Sequence, residues 1–162
     1  MFPEQISGFL LHRRPYRETS YLADLFTLEA GKVSAVVKGV RGSKSDKKSL
    51  LQAFQPLLLS IKGKHQLKNL NLLESNGAML PLAGKTMFSA MYINELLNRL
   101  LISDIPHQEL FSLYQQSLEL LAKGGDIEPI LRQFELGLLQ ELGYGLDLQH
   151  DYESGAELEP TA

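Results

Sequence analysis

The hydrophobic period of this 162-residue chain changes once, and that change limits the folds open to it. Up to about residue 75, apolar residues fall in short runs bounded by turn residues, with clean steps of two at Lys32–Lys38. Beyond it they recur at steps of three and four. A step of two puts side chains on alternate faces of a strand, and a mean step near 3.6 draws them into one stripe of a helix. Strands first and helices afterwards give an α+β chain, not an alternating one.

Five strands are expected. Gln5–Arg14 carries Ile6, Phe9, Leu10 and Leu11. Ser20–Glu29 sets Leu22, Phe26 and Leu28 on one face, interrupted by Asp24, with Ala23 and Leu25 on the other. Lys32–Lys38 alternates Val33, Ala35 and Val37 with Lys32, Ser34, Val36 and Lys38, and Gly31 supplies the hairpin turn before it. Ala53–Lys62 and Leu67–Ser75 follow, joined around Gly63. Pro56 has no N–H to give, so it implies an edge or a bulge in the fourth strand. The longest connection falls between the third and fourth strands. That arrangement predicts a small Greek-key barrel of the OB-fold type, with an SH3-like barrel as the competing form.

Three helices are expected next. Thr86–Ser103 has the apolar stripe Phe88, Met91, Tyr92, Leu96, Leu97 and Leu100. A second helix carries Leu110, Leu113, Tyr114, Leu118 and Leu121 and stops at Gly124-Gly125. A third is capped by Asp126, with Pro129 in its first turn, and presents Ile130, Leu131, Phe134, Leu138 and Leu142. The predicted organisation is an OB-fold over 1–78, a helical bundle over 79–150 and a disordered tail over 151–162. A chain with such a tail reads as a piece of a longer protein.

Charge divides at nearly the same place. Residues 1–68 hold twelve Lys or Arg against five Asp or Glu, a balance of +7; residues 69–162 hold four against fourteen, a balance of −10. The total of −3 conceals this. A basic barrel points to a polyanionic partner. Arg13, Arg14 and Arg17 cluster after the first strand, and Lys38, Arg41, Lys44, Lys47 and Lys48 after the third. Two such loops at one end of a barrel would form a positive groove for nucleic acid phosphates; the plainer alternative is a solvated charged rim. Tyr16 and Tyr21 flank the Arg cluster, available for stacking on unpaired bases or for ordinary packing. No base-reading element stands out, so weak sequence preference is expected.

In the acidic half the rare bases matter. Arg99 and Arg132 each sit within an apolar helical stretch. Such an Arg suits a peptide with a hydrophobic residue and a carboxylate, while a salt bridge along the helix, for Arg132 to Glu128 or Glu135, is the simpler reading.

Other chemistry is disfavoured. Without Cys there is no disulfide, thiolate zinc site or cysteine nucleophile. Gly84-Lys85-Thr86 resembles the end of a P-loop, but position 79 is Met where the pattern needs Gly. The four His are scattered, so neither a metal nor another cofactor is expected. No Ser has a nucleophile context, so an enzyme is not expected. No apolar run approaches the roughly 20 residues of a membrane span. The start Met-Phe-Pro-Glu-Gln lacks the basic and apolar segments of a secretory signal.

Taken together, Phe9–Ser20, Gly31–Arg41, Leu51–Leu59, Tyr92–Leu97, and Leu131–Leu136 running on to Leu142–Leu146 resemble the bacterial RecO recombination-mediator family. The likeness runs in order from the first strand to residue 148. It implies an N-terminal OB-fold and a helical domain. It implies binding to single- and double-stranded DNA, annealing of complementary strands, and work with RecR to load RecA onto strands coated by single-stranded-DNA-binding protein. Binding of that protein's acidic, hydrophobic-ended tail is also implied, with Arg132 in the region where it would dock. Localisation would be cytoplasmic, at the nucleoid. Family members usually continue for some seventy or more residues, and many carry a four-Cys zinc site that a chain without Cys does not have. An RNA-binding barrel, or an adaptor whose basic loop meets an acidic protein, is the alternative function.

Overall fold

The computed structural model describes residues 4–41, 46–143, 150–151 and 156–157. Strands β1 (Ile6–Tyr16), β2 (Ser20–Thr27), β3 (Gly31–Val37), β4 (Leu57–Lys62) and β5 (Leu67–Ser75) close a barrel in the order β1-β2-β3-β5-β4. Every pairing is antiparallel except β3 with β5. A short helix α1 (Asp46–Leu50) lies in the β3–β4 connection, where no helix was expected. Helices α2 (Lys85–Leu100), α3 (Gln108–Ala122) and α4 (Ile127–Glu141) follow. The expected OB-fold barrel and helical region are both present. Of the tail, only two short pieces belong to the described residues: β6 (His150–Asp151) pairs antiparallel with β7 (Ala156–Glu157). The rest of 151–162 lies outside them.

The barrel is filled by Ile6, Leu10, Ala23, Leu25, Val33, Ala35, Val37, Leu57, Leu59 and Ile61, with Leu51 beyond α1 joining them. This is the inner face of each strand. On β1 and β2 the outer face is apolar as well, because Phe9, Leu11 and Phe26 belong to a second core shared with the helices. The two-sided apolar pattern of Ser20–Glu29 thus serves two cores.

Four aromatic rings form the centre of that second core. Phe9 and Phe26 come from the barrel, Phe111 and Tyr114 from α3. Their centroids lie 5.2–6.0 Å apart across the boundary, with Phe9 and Phe26 both edge-on to Tyr114. Such pairs contribute about 0.5–1.5 kcal/mol each beyond their buried area. The Tyr114 hydroxyl donates to Asn94 Oδ1 at 2.6 Å, and Asn94 Nδ2 faces the Leu10 carbonyl at 3.5 Å. The β1–β2 register shifts between Leu10 and His12, so Leu11 is the extra residue of a bulge. Asn94 reaches the backbone beside that bulge. Burial pushes the Tyr114 phenol far above its usual range, partly offset by the Asn94 bond, so it stays a neutral donor.

A polar clasp reinforces the junction at the β2–β3 turn. Asp104 N donates to the Lys32 carbonyl at 2.8 Å, and Lys32 Nζ donates to the Asn98 carbonyl at 2.6 Å. The buried Lys68 Nζ lies 3.4 Å from Asp104. Gly31 has φ +73°, and a Cβ there would sit 1.9 Å from the Ile105 carbonyl oxygen, so only glycine fits.

Three expectations are corrected. The fourth strand begins after Pro56, at Leu57, and pairs on both sides, so the proline precedes the strand and is not an edge marker within it. Helix α2 ends at Leu100, not Ser103. It also buries a different face. Ala90, Ile93, Asn94 and Leu97 point inward, whereas Phe88 is 77% exposed and Met91, Tyr92 and Leu100 are exposed too. Proximity to the aromatic rings favours the small Ala90 and hydrogen-bonding Asn94, which a count of large apolar residues passes over.

Tyr114→Phe should leave Asn94 Oδ1 buried without its donor and cost about 1–3 kcal/mol. Urea unfolding checks this; an unchanged midpoint would mean that the bond contributes nothing.

Candidate nucleic-acid interface

The turn from β1 to β2 and the segment after β3 are brought together by backbone. Arg41 N donates to the Thr19 carbonyl at 3.0 Å, and Arg41 Nη1 donates to the Arg17 carbonyl at 2.6 Å. Arg17 has φ +56°, a left-handed conformation that tightens the turn. Arg17, Lys38 and Arg41 therefore share one end of the barrel. A cavity of about 440 Å³ opens there, lined by Tyr16, Arg17, Thr19, Lys38, Lys68 and Asn69 among others. A second, of about 380 Å³, continues past Val36, Lys38 and Asn69 to Lys62, Gly63 and Asn71. No Asp or Glu lines either one.

The remaining expected residues are distributed differently. Arg13 is half-buried; its Nη1 donates to the Leu51 carbonyl at 2.8 Å, and its guanidinium lies 4.6 Å from the Tyr21 ring centroid. Arg14 is exposed on the same strand. Lys47 and Lys48 lie on α1 and line neither cavity. Lys44 lies outside the described residues. The Tyr21 and Tyr16 rings each carry an arginine, Arg17 being 5.3 Å from the Tyr16 centroid. One face of each tyrosine is thus already covered, which reduces its use as a stacking platform. Lys62, Asn69 and Asn71 were not foreseen. The sign of the two asparagines was the polar residue at alternate positions of β5, and Lys62 is the polar end of β4.

In the helical region Arg99 pairs with Glu95 one turn earlier, the plain salt-bridge reading, although with a different acid from those considered for Arg132. Arg132 is exposed and forms no ion pair among the described residues. Glu135, expected as its partner, instead accepts a hydrogen bond from Tyr92. That bond, then burial and the carboxylate's charge, hold the Tyr92 phenol above its usual range. Between α3 and α4 runs a groove of about 300 Å³ lined by Leu113, Leu120, Lys123, Ile130 and Gln133, with neither Arg99 nor Arg132 in it. Among the described residues no cluster of His, Asp or Glu is arranged to hold a metal ion. No helix is long and apolar enough to cross a membrane.

Two family models match the chain: recombination protein O N terminal over residues 1–78, and recombination protein O C terminal over 82–162. The chain is 62% identical over 155 residues to the DNA repair protein RecO of Pseudoalteromonas atlantica, covering 96% of this chain and 65% of that protein. It is 49% identical over 150 residues to its counterpart in Alteromonas mediterranea, covering 93% and 64%. The Haemophilus influenzae protein is 49% identical over 148 residues, covering 91% and 63%. The chain spans just under two thirds of the length of these curated relatives.

Arg13→Ala should lower stability by about 1–2 kcal/mol, since it loses a hydrogen bond and an aromatic contact. Arg14→Ala should leave it unchanged. Urea unfolding of the two variants compares them directly; equal midpoints would remove the structural role assigned to Arg13.

Proposed function

The chain belongs to the RecO family of DNA repair proteins, and we propose that its barrel, residues 1–78, binds the phosphates of single- and double-stranded DNA. The observation that carries this reading is the acid-free basic groove, where hydrogen bonds from Arg41 join the two loops. Arg17 and Lys38, which line the groove, and Arg41 at the junction of its loops are the principal contacts, with Arg13, Arg14, Lys44, Lys47 and Lys48 extending the positive field. Two strands held in one such field repel each other less, which promotes annealing without any catalytic group. The helical region, 79–150, receives protein partners: RecR, and the acidic tail of single-stranded-DNA-binding protein. Through them the protein helps load RecA onto coated strands, in the cytoplasm at the nucleoid. Arg132 supplies the cation for the tail's carboxylates, and Arg99, held by Glu95, is the weaker candidate.

Fluorescence titration of a short single strand at several salt concentrations tests the barrel. Affinity should fall steeply with salt, and Lys38→Ala should reduce the salt slope by about one while weakening binding. Absence of binding at low salt would reject the reading, and binding indifferent to salt would reject the phosphate mechanism. For the helical region, a peptide ending in acidic residues and Phe should bind Arg132→Ala about tenfold more weakly than wild type, the loss of one charge-assisted contact. Equal binding would remove Arg132 from the site.

A further inference from the structure

The groove continues beyond the expected basic loops, and its far end is chemically different. The parallel β3–β5 ladder has only three pairs, Ser34–Leu67, Ala35–Lys68 and Val36–Asn69. Past Asn69, β5 pairs with β4 alone, because β3 ends at Val37. The β4–β5 register shifts there: Leu70 pairs with Ile61 and Leu72 with Ser60, leaving Asn71 as the extra residue. Asn69 and Asn71 are two residues apart on the strand and so face the same side, and both line one cavity beside Lys38 and Lys62; the bulge breaks the alternation only beyond Asn71. Both asparagines are exposed, and neither carboxamide bonds to another described residue.

We propose that Asn69 and Asn71 form a subsite for unpaired bases, with Lys38 and Lys62 holding the flanking phosphates. A carboxamide carries donor and acceptor in one plane, so it can meet a base edge by paired hydrogen bonds. In a single strand the pairing edges are free for such contacts, whereas in a duplex they are taken up. The groove would then treat the two substrates differently: phosphates alone hold the duplex, and phosphates plus base edges hold the single strand. The cavity, about 380 Å³, lies within the usual range for small-ligand sites and has room for about one nucleotide. The proposal rests on the DNA-binding reading above and adds to it the discrimination between single strand and duplex.

The test uses fluorescence anisotropy at one salt concentration on the full chain, with a labelled single strand, a hairpin duplex and an abasic strand of equal charge. For Asn69→Ala/Asn71→Ala, single-strand affinity should fall about tenfold, with its salt slope unchanged and duplex affinity within twofold of wild type. Wild type should bind the abasic strand about as weakly as the variant binds the intact one. Unchanged single-strand affinity, or equal loss on single strand and duplex, overturns the subsite while leaving phosphate binding in place. Failure of wild type to bind any strand overturns the DNA-binding reading itself. Should the alanine pair not fold, Asn69→Ser/Asn71→Ser carries the same comparison, since the shorter hydroxyl does not span a base edge.

Discussion

The structure depends on the contact between barrel and bundle at Phe9, Phe26, Phe111 and Tyr114. These rings are nearly or fully buried, and two come from each side. They remove from water an outer barrel face that would otherwise be exposed hydrocarbon. The Tyr114–Asn94 bond gives direction to a contact that aromatic packing alone would leave adjustable, because an unpaired buried carboxamide costs free energy in any other arrangement. The clasp at Lys32, Lys68 and Asp104 adds a second attachment at the β2–β3 turn. Barrel and bundle are therefore held in one relative placement. The basic groove lies along β3 and β5 and at the β1–β2 turn, and neither Phe9 nor Phe26 lines it.

That placement gives the division of charge its meaning. The +7 of the first 68 residues is not all available to a ligand. Arg13 holds the end of α1, Lys32 holds α2, and Lys68 is paired with Asp104. Arg14, Arg17 and Lys38 remain exposed, as does Lys62. Cations that hold the scaffold and cations facing solvent look alike in composition, yet the second kind can touch a phosphate directly, while the first add at most to the surrounding field.

Much of this was legible in the amino-acid order. The change of hydrophobic period separated strands from helices, and Gly31 and the Gly124-Gly125 pair marked real stops. That the Arg17 and Arg41 loops meet at one end of the barrel was an arrangement a small barrel allows, and the hydrogen bonds between them show it. What stayed hidden was hidden for physical reasons. Helix α1 is a single turn, too short for a periodic signal. The buried face of α2 is built on Ala90 and Asn94, which carry little hydrophobic weight, while Phe88 and Met91 on its outside carry much. Asn69 and Asn71 share a face of β5 by simple alternation, but the cavity they share with Lys38 and Lys62 is set by the pairing of β5 with β3 and β4, which composition does not carry.

Backbone amide shifts of the protein titrated with a short single-stranded oligonucleotide test the central claim most directly: that one barrel groove, held at a fixed place on the bundle, meets the nucleic acid. The account predicts that perturbed residues cluster at Tyr16–Ser20, Val36–Arg41 and Lys62–Asn71, with α3 and α4 unaffected. Shifts concentrated on α3 and α4, or scattered over the surface without a cluster on the barrel, would contradict it.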